Sequence, residues 1–215
     1  MAQEVYVKIS GTWREAKEVS VRVSGTWRNT AKVWARISGV WRESGPVYQQ
    51  TTAWTSNASQ SYRSNLNQRS TSWLYQGYWD GTYGEQRSMI FWDDANMRSV
   101  LSGRTIESTK LTIRWEHWYY GGGGTSRYGS HNASATPATW SQNYAYSAYS
   151  GHSVQSYRTT TQTITMDNVL ANYIRDNINK GVTIYAGNTS LTYYGYAHGH
   201  TSGTQKPVLT ITHNV

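Results

Sequence analysis

The sequence predicts a mostly β protein: N-terminal β-hairpin repeats, then a jelly-roll-like antiparallel β-sandwich carrying one short α-helix. Three observations carry that expectation. A unit with a fourteen-residue period recurs from Val5, Val19 and Val33, reading VYVKISGTWREAKE, VSVRVSGTWRNTAK and VWARISGVWRES. Beyond it, short runs rich in Val, Ile and Thr are separated by polar, glycine-bearing turns. The aromatic content is also skewed, with 18 Tyr and 11 Trp against a single Phe. Rings with a polar handle suit surfaces that are half dry and half wet better than a conventional core.

The repeats come first because a fixed period constrains everything around it. In the first unit Val5, Val7 and Ile9 alternate with Tyr6, Lys8 and Ser10, the two-residue period of a strand with one buried face. Gly11, Gly25 and Gly39 follow a serine where a tight turn needs positive φ. Trp13-Arg14, Trp27-Arg28 and Trp41-Arg42 then begin a returning strand. Isolated hairpins of this size are marginal in water, so the units are expected to stack on each other and on copies from other chains. Residues 1–45 form this attachment or stalk module, and Gly45-Pro46 marks its end. Residues 46–215 form the sandwich.

In the second part, strands are expected at Arg87–Trp92, Lys110–Trp115, Thr161–Met166, Val182–Ala186 and Val208–Thr212. One helix is expected over Asn168–Lys180. Asp167 is its N-cap, Val169, Leu170, Tyr173, Ile174 and Ile178 form its apolar stripe, and Gly181 supplies a left-handed C-terminal cap. The run Gly121–Gly124 lacks a phosphate-loop lysine and reads as a flexible loop.

Composition excludes several classes. Without cysteine there is no disulfide framework, zinc-finger spacing or thiol nucleophile. The start MAQEVYVKIS shows no basic-then-apolar signal sequence, and no run of about eighteen apolar residues suggests membrane insertion. The net charge is +8, from 20 basic and 12 acidic residues. Residues 1–44 hold eight Lys/Arg and four Glu, hence +4 of it, at regular spacing along strands. That regularity fits a solvated or subunit-facing stripe, and with no nucleic-acid-binding motif an anionic cell-envelope polymer suits the charge better than DNA.

RSMIFWDD, SGRTIESTKLTIRW, the helix-plus-strand MDNVLANYIRDNINKGVTIYA and the closing GTQKPVLTIT together resemble a DNRLRE-type β-sandwich across roughly residues 55–213. The chain lacks the string that names that family, and has Thr109-Lys110 where small residues are common. Separately, the V-x-V-x-φ-S-G-x-W-R pattern of residues 5–44 resembles units of bacteriophage tail, fibre and other virion structural proteins. Together these resemblances imply a virion protein, assembled in the host cytoplasm and exposed on the particle surface, with its repeats joined to a sandwich head.

Candidate chemistry is sparse. Asp93-Asp94 directly follow a strand, where acidic residues form turns or cap helices, and Glu116-His117 has no evident third partner, so no catalytic set and no cofactor are expected. His198 and His200, in AHGH, fall on one side of a strand and form a weak metal candidate resembling the His-x-His pairs of some trimeric phage fibres. The alternative is a glycine-rich loop whose histidines meet solvent. Aromatic clusters make the better binding candidates. Trp73, Tyr75, Tyr78, Trp79 and Tyr83 lie close together, and Trp118, Tyr119 and Tyr120 run into the glycine loop. Their rings could stack on sugar faces, or could instead fill the core or an intersubunit contact, as expected for Trp115. Tyr144, Tyr146 and Tyr149 read as packing.

The expected function is therefore a structural component of a phage particle, a tail fibre or tip or a head fibre. It would be oligomeric, with a homotrimer as first choice, since three chains can close the hairpin edges around one axis. The repeats would bind other virion proteins and the sandwich would meet host cell-surface polysaccharide. A non-enzymatic carbohydrate-binding module and a decoration protein without ligand are the alternatives.

Overall fold

The structure, a computed structural model, describes residues 6–9, 12–15, 20–29, 34–37, 40–43, 49–141 and 152–214. Gly11, Gly39, the Gly45-Pro46 break and Tyr144, Tyr146 and Tyr149 lie outside the described residues, as do the side chains of Trp13, Arg14, Trp27, Arg28, Trp41 and Arg42. The chain divides into two compact units, residues 1–49 with 214–215, and residues 50–213.

Among the described residues of the first unit, six four-residue strands pair in twos, all antiparallel: β1 (Tyr6–Ile9) with β2 (Thr12–Glu15), β3 (Ser20–Val23) with β4 (Thr26–Asn29), and β5 (Trp34–Ile37) with β6 (Val40–Glu43). The register is the same in each, setting Lys8 opposite Trp13, Arg22 opposite Trp27 and Arg36 opposite Trp41. Between β3 and β4 both turn residues have positive φ, 49° at Ser24 and 82° at Gly25. That is a type I′ turn, whose twist matches the strands it joins, and glycine at its second position removes the steric cost.

The second unit is mostly β, a curled antiparallel sheet with two α-helices among the described residues. Its strands are β7 (Gln49–Thr55), β8 (Ala58–Tyr62), β9 (Gln68–Ser70), β10 (Trp73–Tyr78), β11 (Glu85–Phe91), β12 (Ile106–Trp118), β13 (Gly124–His131), β14 (His152–Ser156), β15 (Thr160–Met166), β16 (Gly181–Tyr185), β17 (Gly195–His198) and β18 (Val208–Asn214). They pair in the order β14-β13-β16-β11-β10-β17-β12-β18-β7, with β15 beside β12, and β8 and β9 branching from β11. The long β12 organises one half. It carries β15 along one edge, and β18 and then β17 along the other. In the other half β11 lies between β16 and β8. The hairpin β10-β11 joins the halves.

Both halves feed one core. Leu111, Ile113, Leu209 and Ile211 contribute from the β12 side, and Ile90, Tyr128, Val182 and Ile184 from the β11 side. The fully buried Gln76 ties strands and turn together there. Its Nε2 donates to Thr125 O and Tyr193 O, both at 2.8 Å, while its Oε1 accepts from the Arg127 backbone N–H at 2.7 Å. A smaller cluster, Tyr62, Met89, Phe91, Ala133 and Trp140, covers the opposite face of β11. His131 is enclosed beside it, its Nε2 donating to Ile90 O at 2.9 Å and its ring 4.3 Å from Phe91.

The helices differ from the sequence expectation in two ways. A helix not expected, α1 (Asp94–Leu101), follows β11 directly. Asp93 is its N-cap and accepts from the Asn96 N–H at 2.9 Å, while Met97 and Leu101 are buried. The expected helix, α2, starts as read, with Asp167 accepting from the Val169 N–H at 2.9 Å, but spans only Asn168–Arg175. Asn177, at φ 59°, is the left-handed residue, and Ile178 is 48 % exposed rather than part of the stripe. Gly181 instead opens β16, where a Cβ would collide with Ile90 O and the His131 ring, so its role is close packing and not capping. The glycine run is likewise only half open: Gly121 and Gly122 have space, but a Cβ on Gly124 would collide with the Trp118 ring and Thr192 O.

Candidate functional site

An open groove of about 400 Å³ lies on the outer face of β10, β17 and β12, lined by Arg69, Trp73, Tyr75, Trp79, His117, Tyr194 and Tyr196. Cross-strand pairing builds it. Tyr75 on β10 is the register partner of Tyr196 on β17, which is the register partner of His117 on β12. These three side chains therefore form one row across three strands. Tyr196 sits 5.3 Å from Tyr75 and stacks on His117 at 5.1 Å with an interplanar angle of 18°. The neighbouring row begins with Trp73 opposite His198, their rings 4.8 Å apart, and Trp73 meets Tyr196 edge-on at 5.1 Å. Such contacts hold the rings in place, so little rotamer entropy remains to be lost when a ligand lies on them.

A β-bulge sets what faces outward. Between Trp115 and His117 on β12 the register with β17 shifts, and Glu116 is the extra residue. Regular alternation would place Glu116 and Trp118 on one face and Trp115 and His117 on the other. With the bulge, Trp115 and Trp118 both turn to the core, rings 4.3 Å apart, and Trp115 Nε1 donates to the Tyr128 hydroxyl at 3.2 Å. Glu116 and His117 both lie on the groove side. Trp118 is 0 % exposed, which corrects its reading as a binding residue: it is core, as expected of Trp115. Gly195 backs this arrangement, because a Cβ there would come 2.7 Å from both His117 O and the Trp118 ring.

The other end of the groove is more open. Trp79 is 40 % exposed and packs on Tyr194 at 4.8 Å and on Tyr119 at 5.9 Å, and Tyr119 meets Tyr120 edge-on at 5.0 Å. Tyr119 and Tyr120 are about half exposed and extend the aromatic surface past the groove. Tyr83 stands behind it, with the Arg69 guanidinium 4.3 Å and the Arg63 guanidinium 5.2 Å from its ring centroid. Tyr78 is half-buried, beyond Gly77, and does not line the groove.

Charge at the site is arranged unevenly. Glu116 Oε2 lies 3.2 Å from His198 Nε2 and 3.5 Å from Arg114 Nε. His117 is held below its usual pKa by burial and by the nearby Arg158, so it is neutral at pH 7. Burial pushes the Tyr194 hydroxyl up to about 12, with the Arg69 guanidinium opposing that rise, and Tyr196 is raised by burial and by its neighbours Tyr75 and Glu116. His198 and His200 have separate partners. His198 faces Glu116, while His200 Nδ1 lies 3.0 Å from Ser59 Oγ. Among the described residues no group of three or more His, Cys, Asp or Glu could hold a metal ion. Asp93 is engaged as the α1 cap, and Asp94 lies 3.6 Å from Lys180 Nζ and pairs with Arg98.

Sequence reasoning found Trp73, Tyr75, Trp79 and Tyr119, which the structure brings to one surface. It missed Arg69, Tyr194 and Tyr196 and gave His117 no role here. The alternation Tyr194-Gly195-Tyr196-Ala197-His198 was the available signal, since every second residue presents a ring. In comparison with known proteins, no family model matches the chain and no curated protein matches it.

Proposed function

We propose that this chain is a structural component of a bacteriophage particle, a tail fibre or tip or a head fibre, whose sandwich domain adheres to host cell-surface glycan through the aromatic groove. The observation that carries the adhesive part is the open aromatic groove, in which Trp73, Tyr75, Tyr196, His117 and Trp79 are partly exposed around the buried Tyr194. A pyranose presents weakly positive C–H bonds on its faces, and these complement the negative faces of Trp and Tyr rings. The groove contains no nucleophile–base pair, which suits retention of a ligand and not its cleavage.

The virion part rests on the repeat, whose three strand pairs share one register. Short pairs with unsatisfied edges gain most by closing against copies of themselves, and a homotrimer closes them around one axis. In this reading the repeats hold the chain to other virion proteins. The second unit is a jelly-roll-like sandwich of DNRLRE type.

Two experiments test this. Tryptophan fluorescence is titrated with host wall polysaccharide: quenching or a shift that saturates, and is lost in Trp79→Ala, supports adhesion, and an unchanged spectrum at saturating glycan refutes it. Mass in solution tests assembly. A stable monomer would favour a free carbohydrate-binding module, a reading that the groove alone supports equally well.

A further inference from the structure

We infer that the groove takes an acidic saccharide, with sugar rings against Trp73 and Trp79 and its carboxylate or phosphate beside Arg69. This rests on the glycan reading above and adds the chemical class of the ligand.

Arg69 carries the argument. It extends from β9 into the groove, and its Cζ lies 3.5 Å from the Tyr75 centroid and 4.3 Å from that of Tyr83, so the guanidinium is held between two rings. It donates a hydrogen bond to Tyr194. Among the described residues no carboxylate pairs with it, and its enclosed Nη1 finds no acceptor. A partly desolvated cation without a counter-ion is costly, and an incoming anion relieves that cost. A guanidinium also presents a planar fork that matches carboxylate and phosphate oxygens.

The surroundings reinforce the sign. Arg158, exposed in the turn between β14 and β15, is near enough to act electrostatically on both His117 and Tyr196. Arg63 stands beside Tyr83. Of the nearby carboxylates, Glu116 is already occupied by His198 and Arg114, and Asp80, next to Trp79, accepts from the Thr82 and Tyr83 backbone N–H groups. The lining thus offers flat apolar rings with an uncompensated positive centre set among them. A neutral polysaccharide accepts hydrogen bonds from a guanidinium but leaves its charge uncompensated. Single-stranded nucleic acid also stacks on rings, but it calls for cations tracking a backbone over several nucleotides. Here Arg69 is half-buried between rings instead.

The test measures binding of the full chain by calorimetry at low and high salt. The probes are an oligogalacturonate, a polyribitol phosphate, a neutral galactan oligomer of matched length and an oligodeoxythymidylate. At low salt at least one acidic saccharide is expected to bind about tenfold or more tighter than the neutral oligomer, an advantage that shrinks as salt is raised. Which acid it is distinguishes carboxylate from phosphate. Arg69→Gln should abolish the preference. Because Arg69 also packs between rings, Arg158→Gln at an exposed turn is the second variant, expected to reduce the preference about threefold without loss of fold. Equal binding of neutral and acidic oligomers, or a preference that survives both variants, overturns the inference and leaves the glycan reading standing. Binding of no saccharide, or tighter binding of the oligodeoxythymidylate than of any saccharide, overturns both.

Discussion

The inner and outer faces of the β10-β17-β12 segment use the same residue types to opposite ends. Inside, Trp115 and Trp118 stack on each other with no exposure, and Trp115 hydrogen-bonds Tyr128 across to the other half of the sheet. Outside, Trp79 is 40 % exposed and Trp73 half-buried, and they are steadied by Tyr196, His198, Tyr194 and Tyr119. Residue chemistry does not separate the two sets. The backbone does, because a single extra residue at Glu116 decides which of four consecutive side chains on β12 point inward. An aromatic cluster therefore becomes core or groove according to register.

Four perturbations break or sharpen that contrast. The largest effect is expected from Trp115→Ala, which leaves a cavity and removes one of the groups hydrogen-bonded to the Tyr128 hydroxyl, at about 3–5 kcal/mol in urea unfolding.

Histidine repeats the comparison. His131, enclosed beside β11, is held down to about 4 by burial, while His117 in the groove is lowered by burial and Arg158. In the unfolded chain His131 takes up a proton near pH 6.5, and in the folded state only near pH 4. Stability from this group is therefore complete above pH 6.5 and declines as pH falls through that window, by about 3 kcal/mol at pH 4. Replacing His131 by Gln should flatten the part of the pH–stability curve between those values. If the slope is unchanged, the assignment fails.

Gly195→Ala tests the backing of the bulge from β17. Its Cβ would press on His117 O and the Trp118 ring, at a cost of about 1–3 kcal/mol. The smallest effect on folding, and the clearest on binding, is expected of Trp79→Ala. Stability should change by under about 1 kcal/mol while glycan affinity falls about tenfold. Equal losses of stability from Trp79→Ala and Trp115→Ala would mean the two faces are not distinct.

How much of this was legible depends on the residues. Strands that bury branched apolar side chains were read within a few residues, as at β11, β15, β16 and β18. Strands β8 and β13 were not, because they bury hydroxyls, amides and glycines instead. Ser59 Oγ donates to Thr71 O and Ser61 Oγ to Trp73 O, both at 2.8 Å. Such side chains are satisfied only by neighbours folded beside them, so ASQSY and GTSRYGSH look like loops in isolation. Helix α1 is short and only two of its residues, Met97 and Leu101, are buried, leaving a faint period. In the site, rings clustered in sequence were found, while Arg69, Tyr194 and Tyr196 arrive from strands β9 and β17 and the loop before β17.

Local physics was enough for what each segment decides alone. Asp167, just before an apolar-striped segment, reads as a helix cap, and Asp93, just after a strand, as a turn or cap. Val, Ile and Thr in alternation make strands, and the Gly25 turn of the repeat takes the positive φ its position asks for. Tertiary structure decided what depends on two segments at once. It set Gly181 as a packing site and not a cap, turned Trp118 inward, and placed Arg69 between Tyr75 and Tyr83 without a carboxylate. Each outcome turns on distances between residues remote in the chain. A period of two or 3.6 residues describes one element, and only the register between elements fixes which side chains finally meet.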